Sequence, residues 1–274
     1  MSEMKITVIV PTFKPQTYLW ECLDSIYNQT LPKSDYELVL VLNGCKKPYN
    51  NQILEWLSKH KSMKVQFFQT DAGGVSNARN IALDNANGQY VTFIDDDDFI
   101  SPSYLKELYD NASVDTISLC YPLSFIDGTT DYKEYYITQD YNRNAGQKVV
   151  AYQKAKKFFS GPVYKLIHRD IIGGRRFDCR FKNGEDSIYM FLISDRFKMV
   201  SFTSRNAVYY RRIRSGSASV HKKPIVTVVK NQMNMIIAYS SIYIQRPLSY
   251  KFPFFLTRIL GALHSMVERL ASTK

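Results

Sequence analysis

Apolar residues in the first hundred positions come in short unbroken runs closed by turn residues. Residues 5–11 read KITVIVP and end on proline, and residues 37–42 read ELVLVL, followed by Asn43-Gly44. Residues 65–69 and 89–94 (QYVTFI) repeat the form. Runs of this length and punctuation predict buried strands. Between them the period changes to helical: Leu19, Leu23 and Ile26 recur within 16–29, a second stretch covers 53–57, and a third covers 75–86 after Gly73-Gly74. Strands alternating with helices predict right-handed βαβ units, hence an α/β fold with a mostly parallel central sheet flanked by helices. Such sheets bind ligands at the carboxyl ends of their strands, which nominates Pro11-Thr12, Asn43-Gly44, Asp71 and the acidic run 95–98.

The pattern loosens after residue 130. A tyrosine-rich stretch (132–141) precedes a basic helix candidate (152–159), a loop (172–184) and a helix after Glu185. Residues 209–219 read YYRRIRSGSAS, a strand running into a small-residue loop. Beyond Pro224 the chain reads as a helical extension. There Leu256, Leu260, Leu263, Val267 and Leu270 fall at helical spacing and form one apolar stripe. Thr257, Gly261, His264, Ser265 and Glu268 fall on the other side, with Arg258 and Arg269 near the boundary. The stripe suits three partners: the protein's own core, a second subunit in a homodimer, or the inner face of a membrane. We expect three parts: 1–105, 106–223 and the extension, 224–274.

Composition narrows the classes. With 274 residues, 45% of them hydrophobic, the chain can bury a sizeable core. Cys22, Cys45, Cys120 and Cys179 form no disulfide scaffold or CxxC pair, and the four histidines form no metal spacing. The N-terminus enters a strand with no leader-like segment ahead of it, and no run has the apolar length of a membrane span. These features predict a cytoplasmic protein. Charge is uneven: residues 1–140 carry 11 Lys and Arg against 19 Asp and Glu, whereas residues 141–274 carry 25 against 6. An acidic half able to hold a cation thus adjoins a basic half able to hold anions.

Four places carry candidate chemistry. Asp95, Asp96, Asp97 and Asp98 follow an apolar strand, and adjacent carboxylates repel unless a cation compensates them. Alternate members, Asp95 and Asp97, can share one side of an extended turn, an arrangement suited to Mg²⁺ or Mn²⁺ with substrate phosphates; as a solvated acidic turn the run would need no metal. In the segment 71–80, Gly73 and Gly74 let backbone approach a ligand, and Arg79 stands about one turn into the helix, able to reach a diphosphate. Glu185 and Asp186 open a helix, where a carboxylate is favoured by the helix dipole or serves as a general base. Arg211, Arg212 and Arg214, ahead of Ser215-Gly216-Ser217, suit phosphate contacts or a basic surface strand.

In this order the motifs resemble family 2 glycosyltransferases with the A-type, nucleotide-diphospho-sugar fold. Residues 8–13 (VIVPTF) look like the family's opening strand, and 74–80 (GVSNARN) are similar to its G-x-S-x-A-R-N segment. Residues 93–98 (FIDDDD) look like its DxD site, followed by Pro102 and Tyr104-Leu105. Lys165, Arg176-Phe177 and Gly184-Glu185-Asp186 resemble the acceptor-side region. The likeness runs from about residue 5 to 219. It implies that Pro11, Thr12 and Arg79 line the nucleotide pocket and that Asp95 meets the ribose or metal. It also implies that Asp97 holds the metal and that Asp186, supported by Glu185, is the base. Asp96 and Arg212 join the donor-binding set. One departure stands out: where the family carries Asp-Asp-Gly or Asp-Asn-Gly after the second strand, this chain has Leu42-Asn43-Gly44. Leu42 cannot accept a hydrogen bond from a base, which leaves Asn43 as its replacement.

The resemblance implies a metal-dependent, hexosyltransferase-type enzyme in surface-polysaccharide synthesis. Its donor is a nucleotide-diphospho-sugar and its acceptor a glycan or lipid-linked glycan, with no nucleic acid partner. Transfer is a single displacement with inversion, with Mn²⁺ or Mg²⁺ on the diphosphate. The alternatives are a metal-dependent phosphohydrolase with an aspartate nucleophile, or a basic membrane- or nucleic-acid-binding protein without catalysis. The first leaves Gly184-Glu185-Asp186 without a role, and the second leaves the acidic run without one. A sugar-phosphate nucleotidyltransferase would need a glycine-rich basic loop after its first strand, which the chain lacks.

Overall fold

The computed structural model describes residues 4–214 and 224–271, the side chains at 269 and 270 excepted. The first part alternates as the pattern predicts: β1 (Ile6–Thr12), α1 (Tyr18–Tyr27), β2 (Tyr36–Asn43), α2 (Tyr49–Lys59), β3 (Lys64–Thr70), α3 (Val75–Asp84) and β4 (Tyr90–Phe93). β1 and β2 are buried at every position, the signature of strands covered on both faces. β1 pairs in parallel with both β2 and β4, and β2 with β3. The chain therefore winds outward from β1 to β3, then returns to lay β4 on the other side of β1. That reversal makes the β1/β4 boundary a topological switch point, where a crevice opens at the strands' carboxyl ends. Thr12 and the acidic run leave those two ends.

The chain continues through β5 (Phe99–Ile100), α4 (Tyr104–Asn111), β6 (Thr116–Leu119), β7 (Tyr121–Ile126), α5 (Tyr136–Asn144) and β8 (Val149–Ala151). The expected basic helix at 152–159 is a 3-10 segment, Tyr152–Ser160, with non-helical backbone at Ala155 and Phe159. It buries Tyr152, Ala155, Phe158 and Phe159, so burial of aromatic rings overrides helical propensity there. Next come β9 (Lys165–His168), α6 (Arg169–Ile172), α7 (Glu185–Leu192), β10 (Met199–Phe202) and β11 (Val208–Ile213). The large sheet has the order β3-β2-β1-β4-β9-β6-β10-β8, with four parallel and three antiparallel neighbour pairs. A small sheet, β5-β11-β7, stands beside it. Because Tyr210 pairs with Phe99, the arginines after it run back along the acidic turn.

The extension is a hairpin of α8 (Ile225–Gln245) and α9 (Phe252–Ala271). It packs on α7 through rings: Tyr239, Tyr250 and Phe254 surround Phe191, and the Tyr239 hydroxyl bonds Ser187 at 2.9 Å. The predicted stripe is not the packing face. Leu256, Leu260, Leu263 and Val267 are 41–62% exposed, while Phe254 and Ala262 are buried. Arg258, expected near the boundary, turns inward to the Phe159 carbonyl at 2.7 Å. The side chains of Leu270 and Arg269 lie outside the described residues, as does the loop Ser215-Gly216-Ser217. Aromatic bulk on one face outcompetes aliphatic periodicity on the other, since rings bury more area and pair edge to face.

Gly88 fixes the register at the switch point. Its N–H donates to Thr7 Oγ1 at 2.8 Å, and a Cβ there would meet the Thr7 backbone nitrogen at 2.4 Å. Backbone cannot swing aside as a side chain can. Gly88→Ala is therefore expected to cost about 1–3 kcal/mol through overpacking. Thermal unfolding would show a midpoint lowered by several degrees; an unchanged midpoint would contradict the close approach.

Candidate active site

The acidic run forms a tight turn rather than an extended one, closed by the Asp98 N–H on the Asp95 carbonyl at 3.1 Å. Its four carboxylates fan out to different partners. Asp95 accepts from Arg79 at 3.0 Å, and its N–H donates to the Tyr209 hydroxyl at 3.1 Å. Asp96 accepts from Thr12 Oγ1 at 2.5 Å across the β1/β4 crevice. Asp97 accepts from Arg214 Nε at 2.6 Å, while its carbonyl accepts from Arg212 Nε at 2.7 Å. Asp98 is buried and accepts from the Tyr209 hydroxyl and the Arg212 N–H, each at 2.7 Å. Burial pushes Asp96 up to about 7, and burial with neighbouring carboxylates raises Asp97 and Asp98. The turn thus holds more negative charge than its surroundings comfortably keep.

Across the crevice stands Asp186, second residue of α7. Arg79, 3% exposed, joins the two sides: one guanidinium nitrogen donates to Asp186 at 2.5 Å, another to Asp95 at 3.0 Å. Its plane lies 5.3 Å over the Phe177 ring. Burial raises Asp186 from its ordinary value and Arg79 opposes that rise. Glu185 is also raised by burial, then by the Asp186 charge, and its Oε2 has no hydrogen-bond partner. Both carboxylates lie in the first turn of α7, where free N–H groups favour negative charge.

The other nominated residues divide into linings and braces. Pro11 and Thr12 end β1 and are buried. Asn43 is buried, with its amide donating to the Thr12 carbonyl at 2.9 Å and accepting from Gly74 N–H at 3.0 Å. It ties together three loops at the strand ends, beside a fully buried Leu42. Arg212 braces as well: it donates to Asp127 at 2.6 Å and to Glu21, with its guanidinium 4.7 Å over Phe125. Of the arginines at 211–214, the one whose side chain meets a carboxylate of the acidic turn is Arg214, packed 4.5 Å over Tyr18. Strand alternation could have set Arg211 apart, because Arg212 and Arg214 share a face that it does not. Tyr209, whose hydroxyl joins Asp95 to Asp98, carried no signal, since twenty tyrosines in the chain look alike in sequence.

Lys165 is fully buried, and its ammonium donates to the carbonyls of Phe158 (2.8 Å), Gly161 (2.5 Å) and Val163 (2.6 Å). This three-carbonyl cage shapes the loop behind the base, for a Cβ on Gly161 would stand 3.8 Å from Asp186 Oδ2. Burial lowers Lys165 to about 7, against the pull of Cys120 and Asp186.

Among the described residues no three His, Cys, Asp or Glu side chains converge to hold a metal alone. Oxygen donors in a surplus of negative charge nevertheless fit a hard divalent cation that brings further ligands with a diphosphate. Asp97 and Asp95 are the carboxylates that would hold it.

The sequence profile of glycosyl transferase family 2 matches residues 7–175. The chain belongs to this family. It is similar to the poly(ribitol-phosphate) β-N-acetylglucosaminyltransferase TarS of Staphylococcus aureus strain Mu50, 38% identical over 104 residues. That alignment covers 38% of this chain and 18% of TarS. In structure it resembles S. aureus TarS 1–349 in complex with UDP-GlcNAc, with a TM-score of 0.75 and 21% identity over 96% of this chain and 72% of that one. It also resembles the mannosyltransferase PcManGT from Pyrobaculum calidifontis in complex with GDP-Man and Mn²⁺. There the TM-score is 0.62 and the identity 18%, over 99% of this chain and 75% of that one. The family 2 chain thus has the A-type fold, with its acidic turn at the crevice.

Removing the caged ammonium would leave three carbonyls without their donor, at about 1–3 kcal/mol for each group left buried and unpaired. Lys165→Met is expected to unfold at lower urea than the wild type. The pH dependence has a definite sign. A lysine lowered in the folded state holds fewer protons there than in the unfolded chain between about pH 7 and its ordinary value. Wild-type stability therefore gains with rising pH, and its margin over Lys165→Met should widen from pH 7 to pH 9. A constant or narrowing margin would contradict the lowered value.

Proposed function

We propose that this family 2 chain transfers a sugar from a nucleotide-diphospho-sugar to an acceptor hydroxyl with inversion at the anomeric carbon. The observation that carries this reading is the Arg79 bridge between the acidic turn on one side and Asp186 on the other. Asp186 takes the proton of the incoming hydroxyl; Arg79 holds its carboxylate ionised and oriented, and Glu185 adds negative charge beside it. Thr12, Asp96 and Asp95 line the donor side with Pro11, Asn43 and Arg212 behind them. Arg214 brings positive charge beside Asp97. A divalent cation, Mn²⁺ or Mg²⁺, held by Asp97 with Asp95 would neutralise charge on the departing diphosphate.

The similarity to TarS, solved with UDP-GlcNAc, supports a UDP-sugar donor here. The same likeness supports an acceptor among bacterial surface polysaccharides, either a glycan or a lipid-linked glycan. We read 1–105 as the donor half, 106–223 as the acceptor half and 224–274 as an extension. We read the enzyme as cytoplasmic and peripheral on the inner membrane face.

Incubation with radiolabelled nucleotide-sugars, Mn²⁺ and glycan acceptors tests the reading; label moved to acceptor supports it, and phosphate released from monoesters instead would overturn it. Asp186→Asn is expected to lower turnover by roughly 10²–10⁴-fold while donor affinity stays within a few-fold, because a positioned base acts on the transition state. Near-normal turnover would put the base elsewhere. Asp97→Asn should abolish the rate gained by titrating Mn²⁺ while leaving the unfolding midpoint largely unchanged. A full metal response in that variant would sink the metal assignment.

A further inference from the structure

We propose that the α8–α9 hairpin docks on an anionic lipid surface, with its tip pressed into the headgroup layer. The proposal deepens the lipid-linked acceptor of the reading above and rests on it for its purpose alone. Ten of the eighteen exposed large apolar side chains among the described residues lie in this hairpin, so the bare apolar surface is concentrated there. The tip is the most exposed part. Leu248 is 101% exposed, with Ile244 at 73% and Phe252 at 54% beside it. From Phe252 the row continues along α9 through Leu256, Leu260, Leu263 and Val267.

Charge selects the occupant. Arg246 and Lys251 flank Leu248 and are both exposed, and Lys230 lies on α8. From 224 to 268 the sole acidic residue is Glu268, at the far end of α9. Bare aliphatic side chains flanked by cations suit a surface that is anionic outside and apolar a few ångströms in. A second copy meeting tip to tip would bring Arg246 and Lys251 of both chains together without acidic partners. No described helix is long and apolar enough to cross a membrane, so the contact lies along the surface.

The hairpin is also fastened to the acceptor side of the site. Gly184, in a left-handed conformation at φ 84°, opens α7, and a Cβ there would meet Met235 of α8 at 2.4 Å. Asn231 donates to the Asn183 carbonyl at 3.3 Å. A docked hairpin therefore ties the turn before Asp186 to the membrane-facing element, about 15–20 Å along α8 from its tip, on the side where the hydroxyl of a lipid-linked glycan would arrive.

The test is sedimentation of the full chain with vesicles of phosphatidylcholine alone or mixed with phosphatidylglycerol. The paired variant Leu248→Glu/Phe252→Glu is compared with Val114→Glu, which alters an exposed apolar residue elsewhere. We expect binding to the anionic vesicles, weakened by salt, at least a tenfold loss in the paired variant, and wild-type binding for Val114→Glu. Absence of wild-type binding to anionic vesicles, or equal loss in both variants, would overturn the proposal. So would a paired variant that binds normally yet lowers the oligomeric mass seen by light scattering, which would make the face a subunit contact. Donor binding measured on the same samples separates the two claims, since failure to bind any nucleotide-sugar would undo the transferase reading without changing the vesicle result.

Discussion

Arg79 is the joint of the molecule. Its guanidinium is buried, and it meets carboxylates supplied from positions 16 and 107 residues further along the chain. A cation taken out of water at this depth persists only if its donors are satisfied by charge, because removing either partner leaves an uncompensated charge inside the protein. Much of the surrounding structure serves that demand. α3 must begin close to the crevice, which Gly73 and Gly74 allow. α7 must begin where Asp186 meets Arg79, which the left-handed Gly184 and the packing of Met235 enforce. Phe177, stacked on Tyr189, supplies the face over which the guanidinium lies.

The acidic turn presents the complementary problem. Four neighbouring carboxylates would drive the turn apart, yet each is given a different partner, and three arginines from distant positions supply charge or donors. The pairing leaves Asp96, Asp97 and Asp98 raised, so the balance is incomplete within the chain itself. An incomplete balance suits the cation and diphosphate proposed for this site, since each would help the other enter. The division of labour follows depth. Asp98, the most buried, is fastened by Tyr209 and the β11 backbone, whereas Asp95, the most open of the four, faces the crevice.

The parallel sheet and its ligand-side strand ends were legible because buried parallel strands leave continuous apolar runs, and residues 5–11 and 37–42 are such runs. The acidic turn was legible as charge where charge is costly, and the Glu185-Asp186 pair as carboxylates opening a helix. What sequence hid is of two kinds. Long-range pairing cannot be read from spacing, so nothing along the chain connects Arg79 to Asp186 or Arg214 to Asp97. Competition between faces is hidden as well: α9 offers an aliphatic stripe and an aromatic start, and the rings took the core. Lys165 stood out through the family resemblance alone, and its cage of three carbonyls is visible only in the fold.

The account stands on the Arg79 bridge. A double-mutant cycle with Arg79→Gln and Asp186→Asn, read by urea unfolding at neutral pH, measures it directly. The account predicts non-additivity, with the pair of substitutions less destabilising than the sum of the single ones by more than about 1 kcal/mol, as for residues in one buried network. Strict additivity would show that the two side chains do not depend on one another and would contradict the account.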